Sequence, residues 1–364
     1  MHYYTGLDIS MKETAICIMD ESGKVTKEGT VPTEPSDIAK YLNETGLDIT
    51  KVALESGCLS HWLVQELWKL SIPAICIDAR HIAAVLATTI NKTDKNDARG
   101  IANALRCNIY REVHPKSTNS VDISTILASR RTLVDQRTTL TNTLRGLLKA
   151  YGIRIPHAAT THLFFEAVRG KIAALAELVK FSLEELLKLA EGLHKQVKMF
   201  DKLIEKLAAE DEAVKRLRTI PGVGPITAMN YKMEIDDPKR FHNSRAVGAY
   251  FGMTPTQYSS GETQKQGRIS KCGSREMRYL LREAAFVLIT RSTKWSTLKA
   301  WGMKLMKKIG LEKACVAVGR KLAIIMHRML ITGEEFKYGE PRKPVKDKAL
   351  SVSEEPSLAL EASA

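Results

Sequence analysis

Apolar residues in the first part of the chain recur with the spacing of strands and helices in turn. Continuous or alternating apolar positions predict five strands, at 4–10, 14–20, 25–31, 51–55 and 74–78. Helices are predicted at 35–43 and, with an amphipathic pattern, at 61–69. The chain therefore begins with three strands, followed by a helix, a strand, a helix and a strand.

This order predicts a ribonuclease-H-like α/β domain, in which the first strand lies beside the next parallel strand. Asp8 stands near the end of the first strand and Glu55 at the end of the fourth, where open α/β sheets place their sites. A single acid at a strand end is usually solvated or capping, so neither residue alone indicates catalysis. Actin-like ATPases and sugar kinases open with a similar strand, acid and turn, but this sequence lacks their further glycine-rich nucleotide loops.

More acids follow the fifth strand. Thr93 is a suitable helix N-cap, and Asp94 and Asp97 then lie on one face of the helix. Two adjacent carboxylates repel, so such a pair faces water or binds a cation, usually a hard divalent ion. Together with Asp8 and Glu55, the pair predicts four converging carboxylates, enough oxygen ligands for two Mg²⁺ ions and phosphodiester cleavage.

The middle of the chain is rich in helix-forming residues and predicts long helices at 123–148 and 181–217. The first carries several arginines, and the second repeats apolar residues at three- and four-residue steps. Two interpretations are equally open. The helices form a coiled-coil arm that dimerises or separates two domains, or they form a helical hairpin packed within one subunit.

A turn with two glycines, Gly222 and Gly224, follows at 219–228. It has the helix-hairpin-helix pattern, whose turn amides and second helix N-terminus bind phosphate, although a plain turn between packed helices has the same composition. The next polar segment, 251–273, predicts a loop whose serines are typical turn formers. Basic residues for nucleic-acid binding lie in this segment and just beyond it: Lys265, Arg268, Lys271, Arg275 and Arg278.

The chain of 364 residues carries a formal net charge of +14. This charge favours nucleic acid as the partner, because clustered Lys and Arg displace phosphate counterions. Apolar runs are too short to span a membrane, and no charged and apolar leader opens the chain. Six cysteines without a CxxC pair predict reduced, buried thiols rather than disulfides or a zinc site, so we expect a soluble cytoplasmic protein.

Several motifs together resemble the DEDD transposases, insertion-sequence recombinases related to the pilin-gene invertase Piv. In the first half they are Gly-Leu-Asp-Ile-Ser at Asp8, Ala-Leu-Glu-Ser-Gly at Glu55 and Lys-Thr-Asp-Lys-Asn-Asp-Ala at Asp94 and Asp97. In the second half they are Ile-Pro-Gly-Val-Gly, Tyr-Phe-Gly-Met-Thr-Pro, Tyr-Ser-Ser-Gly and Gly-Arg-Ile-Ser-Lys-Cys-Gly. The resemblance covers nearly the whole chain to about residue 335.

The resemblance implies three regions: a RuvC-like domain at 1–115, a helical coiled-coil and dimerisation region at 120–215, and a mainly α transposase domain at 216–335. Homodimers would assemble into a tetramer on donor and target double-stranded DNA, directed by a noncoding bridge RNA. Residues 336–364 contain three prolines and mixed charge, which predicts a disordered tail.

For the chemistry, the resemblance implies that Asp8, Glu55, Asp94 and Asp97 hold Mg²⁺. Ser259, with Ser260 as second choice, would attack the DNA phosphate and form a covalent intermediate. Two other functions stay open. The acids alone would suit a RuvC-like endonuclease that hydrolyses branched DNA, and a nucleic-acid-binding relic of a transposase would keep the fold without the chemistry.

Overall fold

A computed structural model describes residues 1–87, 91–156 and 161–339. The chain divides into two compact units, Met1–Val121 and a second that begins at Asp122. The boundary lies inside a long helix, Thr118–Lys149. The predicted helical region and the predicted C-terminal domain belong to the same unit.

The first unit is built around a mixed six-stranded sheet with the strand order β3-β2-β1-β4-β5-β6. The five predicted strands are confirmed, and a sixth, short strand completes the edge. The order is consistent with a ribonuclease-H-like domain. The strands and helices are β1 (Tyr3–Ile9), β2 (Glu13–Asp20), β3 (Val25–Pro32), α1 (Pro35–Asn43), β4 (Ile49–Glu55), α2 (Ser60–Lys69), β5 (Ala74–Ile77), α3 (Ala79–Leu86), α4 (Asp94–Arg106) and β6 (Glu112–Val113).

Each face of the sheet is covered by a different set of helices. Leu7 and Leu54 are fully buried on one face, in a cluster with apolar residues of α1 and α2. Ala53, one residue earlier on β4, is buried on the other face with residues of α4. Because side chains alternate along a strand, Gly6 and Asp8 share the face that α4 covers.

Replacing Gly6 with alanine is expected to destabilise the protein by about 1–3 kcal/mol, the usual cost of overpacking. A Cβ at Gly6 would lie 2.2 Å from the carbonyl oxygen of Ala98 and 2.5 Å from the amide nitrogen of Ala102, both backbone atoms of α4. The helix must therefore shift, together with its acidic first turn. Thermal unfolding measures the loss, and Gly57→Ala is the control because a Cβ there meets no atom within 4 Å in the described chain. An unchanged melting temperature for Gly6→Ala would mean that α4 is not held tightly against β1.

The second unit is mostly helical, with one β-hairpin. The hairpin occupies the segment that the sequence predicted to be a loop, because its glycines and polar residues lie in a tight turn and on two exposed strands. The elements are α5 (Thr118–Lys149), α6 (Thr161–Ile172), α7 (Glu177–Glu210), α8 (Glu212–Leu217), α9 (Pro225–Ile235), α10 (Ala246–Tyr250), β7 (Pro255–Ser260), β8 (Thr263–Ile269), α11 (Arg275–Thr290), α12 (Thr297–Ile309) and α13 (Leu311–Thr332).

The long helices pack against each other within the chain. Apolar residues of α5, α6 and α7, among them Leu148, Phe164 and Leu187, form one buried cluster. Ile204 of α7 is buried in the separate core that α9, α11 and α13 build. This is the hairpin interpretation of the helical region, and a coiled coil between subunits stays a prediction.

The predicted helix over 181–217 is interrupted at Asp211. The carboxylate of Asp211 accepts hydrogen bonds from the amides of Ala213 at 2.9 Å and Val214 at 3.1 Å, so it caps α8. An acid at this position ends one helix and begins the next because its side chain replaces the missing backbone acceptors.

The packed part of the chain extends beyond residue 335. Phe336 is 7% exposed and belongs to the core of the second unit. The Tyr338 hydroxyl donates to the Thr219 carbonyl at 3.2 Å, and the Thr297 amide donates to the Tyr338 carbonyl at 2.9 Å. The prediction of a disordered tail is therefore wrong for 336–339, and its remainder at 340–364 lies outside the described residues.

The cysteines only partly match the expectation of buried thiols. Cys17, Cys76 and Cys315 are buried, whereas Cys58 and Cys107 are exposed. Cys58 follows β4 and Cys107 follows α4, so both lie where the chain leaves the core. None of the helices in the described ranges is long and apolar enough to cross a membrane.

Candidate active site

Asp8 and Glu55 lie next to each other at the ends of two neighbouring parallel strands. β1 and β4 are paired up to Leu7 and Leu54, so the next residue of each strand stands at the same level. Both side chains point to the face that α4 covers, because they follow Gly6 and Ala53 by two positions. The predicted adjacency of the two acids is confirmed.

The first turn of α4 supplies the other two acids. The Thr93 hydroxyl accepts a hydrogen bond from the Asn96 amide at 3.2 Å, which confirms the predicted N-cap. Asp94 and Asp97 lie in this first turn, where negative charge is favoured by the unpaired amides of the helix. Asp97 is half-buried, whereas Asp94 is exposed.

Two cations on α4 anchor the helix through Glu28 of β3. The Glu28 carboxylate accepts a hydrogen bond from Arg99 at 2.8 Å and pairs with Lys95 at 2.9 Å. The hydrogen bond from Arg99, with that from Lys95, lowers the pKa of Glu28 to about 2. This carboxylate therefore stays charged and neutralised, and it is distinct from the acids of the candidate site.

The acids of the site repel one another. Burial, followed by the charges of Asp97, Asp94 and Glu55, raises the pKa of Asp8 to about 6. Burial and the charge of Asp97 also raise the pKa of Glu55. The four predicted residues are thus brought into one electrostatic neighbourhood that favours a bound cation or proton.

The chemistry of these donors fits a hard divalent ion, since all four are carboxylates and two are held by sheet strands. Their spacing is looser than a coordination shell, because in the described ranges no three His, Cys, Asp or Glu side chains form a group that can hold one metal ion. Glu55 and Asp97 line a common cleft of about 240 Å³ between α3 and α4.

Lys92 is a site residue that the sequence interpretation missed. Its charge lowers the pKa of both Asp8 and Glu55, and it lines the cleft with Glu55 and Asp97. In the sequence its one signal is its position beside the acidic turn, directly before the Thr93 cap. Lys92 offsets part of the carboxylate repulsion.

Ser259 and Ser260 lie at the exposed end of the hairpin of the second unit. They are the last two residues of β7, before a turn in which Gly261 has a φ of +55°. Because strand side chains alternate, the two serines face opposite sides. The side-chain Nε2 of Gln257 donates a hydrogen bond to the Ser259 hydroxyl at 3.0 Å, so Ser259 shares a face with Gln257.

The predicted basic residues divide into two groups. Lys265, Arg268, Lys271 and Arg275 are exposed. Arg278 instead donates hydrogen bonds through one guanidinium nitrogen to the carbonyls of Cys272 at 2.6 Å, Gly273 at 3.0 Å and Phe251 at 3.3 Å. Through this nitrogen the guanidinium holds together the two chain segments at the base of the hairpin, and nucleic-acid binding by Arg278 stays a prediction.

Comparison with known proteins assigns both units. A family model for DEDD transposases of the IS110 group, described as "Transposase", matches residues 5–153, which include all four acids. A second model, "Transposase IS116/IS110/IS902 family", matches residues 214–300, which include the two-glycine turn and the hairpin. The transposase for insertion sequence element IS1111A of Coxiella burnetii is 30% identical over 344 residues, covering 92% of this chain and 91% of the relative. The chain belongs to this family of insertion-sequence transposases.

Two further relatives of the transposase are similar over most of their lengths. The transposase for insertion sequence element IS1328 of Yersinia enterocolitica is 28% identical, covering 78% of this chain and 85% of the relative. A probable family 20 transposase of Pseudomonas aeruginosa is 28% identical, with coverage of 77% and 83%. The protein is therefore a DNA transposase, and its family suggests the use of a divalent metal.

Proposed function

We propose that this transposase cuts and rejoins donor and target double-stranded DNA through a covalent serine–phosphate intermediate. The observation that carries the proposal is the placement of four carboxylates: Asp8 and Glu55 at the same level of two paired strands, and Asp94 and Asp97 in the first turn of the helix that covers that face. Such a cluster costs stability unless a cation neutralises it, so a functional reason for keeping it is needed.

Asp8, Glu55, Asp94 and Asp97 would hold Mg²⁺, as two ions. When bound, the metal supplies Lewis-acid stabilisation of the negative charge that develops on a phosphate. The protein contributes the orientation of the acids: β1 and β4 fix the first two, and the Thr93 cap fixes the turn that carries the others. Lys92 limits the repulsion between them.

Ser259 is the proposed nucleophile, and Ser260 is the second choice. The Ser259 Oγ forms a bond to the phosphorus, the bond from phosphorus to the departing strand breaks, and the hydroxyl proton passes to the departing oxygen. A hydroxyl of the other DNA strand reverses this step and releases the serine. The phosphodiester is conserved throughout, which rejoining requires and hydrolysis would not permit.

The remaining basic side chains would contact the DNA backbone. Lys265, Arg268, Lys271 and Arg275 follow the serines in sequence and are exposed, as residues that neutralise phosphates must be. Gly222 and Gly224 are the proposed phosphate contacts of the two-glycine turn. Arg278, which also supports the base of the hairpin, is a further proposed contact.

A noncoding guide RNA is the proposed second nucleic acid, and a homodimer that forms a tetramer is the proposed assembly. The charge of +14 supports binding of more than one polyanion. Large exposed apolar residues on α7 support assembly: Leu178 is 85%, Phe181 66% and Met199 62% exposed.

Purified protein mixed with DNA that carries the element's ends and a target is the test. We expect rejoined DNA, and after denaturation a covalent adduct whose protease fragment contains Ser259. Cleavage without rejoining or adduct would instead support the hydrolysing endonuclease. RNA that copurifies with the protein should be sequenced. A ribonuclease-treated preparation that still recombines DNA would refute the proposed guide RNA.

A further inference from the structure

A cavity of about 610 Å³ lies in the second unit between the turn that joins α8 to α9 and the connection that joins α11 to α12. Three basic residues, Arg218, Arg291 and Lys294, line it together with the turn, and the lining among the described residues contains no acid. Both sides of the cavity belong to the segment 214–300 that one family model matches. The cavity thus combines positive charge with a glycine-containing turn.

Glycine stands at the two positions of the turn for different physical reasons. A Cβ at Gly222 would lie 2.4 Å from the Ala284 carbonyl oxygen of α11, and its φ is +91°, so the fold itself requires glycine there. A Cβ at Gly224 would meet no atom within 4 Å in the described chain, and its φ of −87° suits any residue. Packing does not explain Gly224, whereas close approach of a ligand to the backbone does.

The backbone beside Gly224 offers hydrogen-bond donors. Gly224 is the N-cap of α9 and provides no side-chain cap. The amides of Ile226 and Thr227, in the first turn of this helix of 11 residues, have no backbone acceptor among the residues that the structure describes. An anion in the cavity would accept hydrogen bonds from these amides and interact favourably with the positive end of the helix.

The basic side chains that face the cavity are not equivalent. Arg218 pairs with Glu205 at 2.8 Å, so its charge is already compensated. Arg291 and Lys294 are exposed, and neither forms an ion pair within the described ranges. Arg291 lies 5.6 Å from the centroid of the Phe286 ring, and Lys294 lies 5.8 Å from that of Tyr338. These ring contacts orient the two free cations without neutralising them.

Tyr338 links both sides of the cavity. Its hydroxyl is bonded to Thr219 in the turn, and its carbonyl accepts from Thr297 at the start of α12. The ordered segment 336–339 therefore holds the turn and the α11–α12 connection at a constant separation. The turn and the connection, which are far apart in sequence, are thus positioned to contact the same ligand.

We propose that this cavity binds a backbone phosphate of double-stranded DNA, with Arg291 and Lys294 as its cationic contacts and the amides at the start of α9 as its donors. A phosphodiester is a single anion with oxygens for both kinds of contact. The contacts are to the backbone and not to base edges, so the site adds affinity and register without sequence preference. Duplex DNA is the occupant because transposition already requires it. The proposal extends the proposed role of the two-glycine turn and is independent of the serine chemistry.

The test is the salt dependence of DNA binding, measured in EDTA so that no strand is cut. We compare the full chain with the double variant Arg291→Gln/Lys294→Gln, using a short duplex without element sequence. The slope of log K against log salt should become shallower by about 1, the value for one lost phosphate contact, with weaker binding at every salt concentration. Gly224→Ala should weaken binding by the folded protein, since its methyl group occupies the space for the phosphate.

The matched control is Lys304→Gln/Lys308→Gln, which removes the same charge from exposed positions of α12 outside the cavity lining. Its slope should stay close to that of the unmodified protein. Equal changes in the two double variants would refute the site, because only net charge would matter. An unchanged slope for Arg291→Gln/Lys294→Gln, or a loss confined to a duplex RNA of the same length, would also overturn the proposal. Failure of the serine mechanism would leave all these binding results unaffected.

Discussion

Replacing Ser259 with alanine should abolish strand exchange and the covalent protein–DNA adduct, with a rate loss of at least about 10³-fold. The Ser259 hydroxyl supplies the oxygen that holds the DNA phosphate in the covalent intermediate, and alanine has no group that can form this bond. Ser259 is exposed, and its hydroxyl accepts a hydrogen bond from the side chain of its neighbour Gln257, so the fold should be unaffected. The measurements are the yield of rejoined DNA, the adduct after denaturation and the melting temperature.

Ser260→Ala is the matched control because it removes the same atoms from the adjacent residue, whose side chain faces the opposite side of β7. We expect it to retain both rejoining and the adduct. Loss of activity in Ser260→Ala with activity retained in Ser259→Ala would exchange the two assignments. If both variants still cut DNA, the serines are turn residues and the protein is a hydrolysing nuclease.

Replacing Asp8 with asparagine should abolish DNA cleavage and at the same time raise the melting temperature. Asparagine has the shape of aspartate but lacks its charge, so it removes a metal ligand together with the repulsion from Glu55, Asp94 and Asp97. Together, this repulsion and the burial of the charge destabilise the folded state by about 1 kcal/mol, after allowance for solvent screening of a half-exposed group. Thermal unfolding in EDTA and a cleavage assay in Mg²⁺ measure the two effects separately.

The pH dependence of this stability difference has a definite sign. The pKa of Asp8 is about 6 in the folded protein and 3.8 for an unperturbed carboxyl, so the folded state binds the proton more tightly. The penalty from ionised Asp8 is therefore fully present above pH 6 and disappears as the pH falls below about 4. The higher melting temperature of Asp8→Asn should show the same pH dependence. Cleavage by the unmodified protein should decrease at pH values below 6, where protons compete with metal for the carboxylate.

Asp20→Asn is the control for the loss of one negative charge in the same unit. Hydrogen bonds from the Ser22 hydroxyl and from nearby amides lower the pKa of Asp20, so its ionised form is favoured by the fold. Its replacement should not raise the melting temperature and should leave cleavage intact. If Asp8→Asn lowered stability or kept full activity, Asp8 would be an ordinary strand-end acid, and a non-catalytic relic would become the better interpretation.

The candidate acidic site could be predicted from sequence because each step relied on a local pattern. Alternating apolar positions located β1 and β4, and the end of each strand located Asp8 and Glu55. Thr93 marked the start of α4 because only a residue with a side-chain acceptor satisfies the amides of the first turn. Lys92 was missed because its effect depends on distance from two strands that are remote in sequence.

The hairpin and the C-terminal segment show where local patterns fail. Residues 255–269 are polar and rich in turn formers, so they lack the apolar alternation by which a strand is recognised. Arg278 belonged to a basic cluster in the sequence, but its guanidinium is used by three carbonyls at the hairpin base. Phe336 lies near charged residues and prolines in the sequence. It is nevertheless buried, because the turn that joins α8 to α9 and helix α12 provide partners for it and for Tyr338.

The sequence by itself determined the order of the strands, the helices that cover them, the positions of the four acids and the family motifs, since all of these are encoded by spacing along the chain. Only the tertiary structure decided that Gly6 is needed for close contact with α4, that burial and three neighbouring acids raise the pKa of Asp8, and that Arg291 and Lys294 line the same cavity as the two-glycine turn. These properties depend on which atoms meet across the fold. Steric exclusion, carboxylate repulsion and burial act over a few ångströms in space, whatever the separation in sequence.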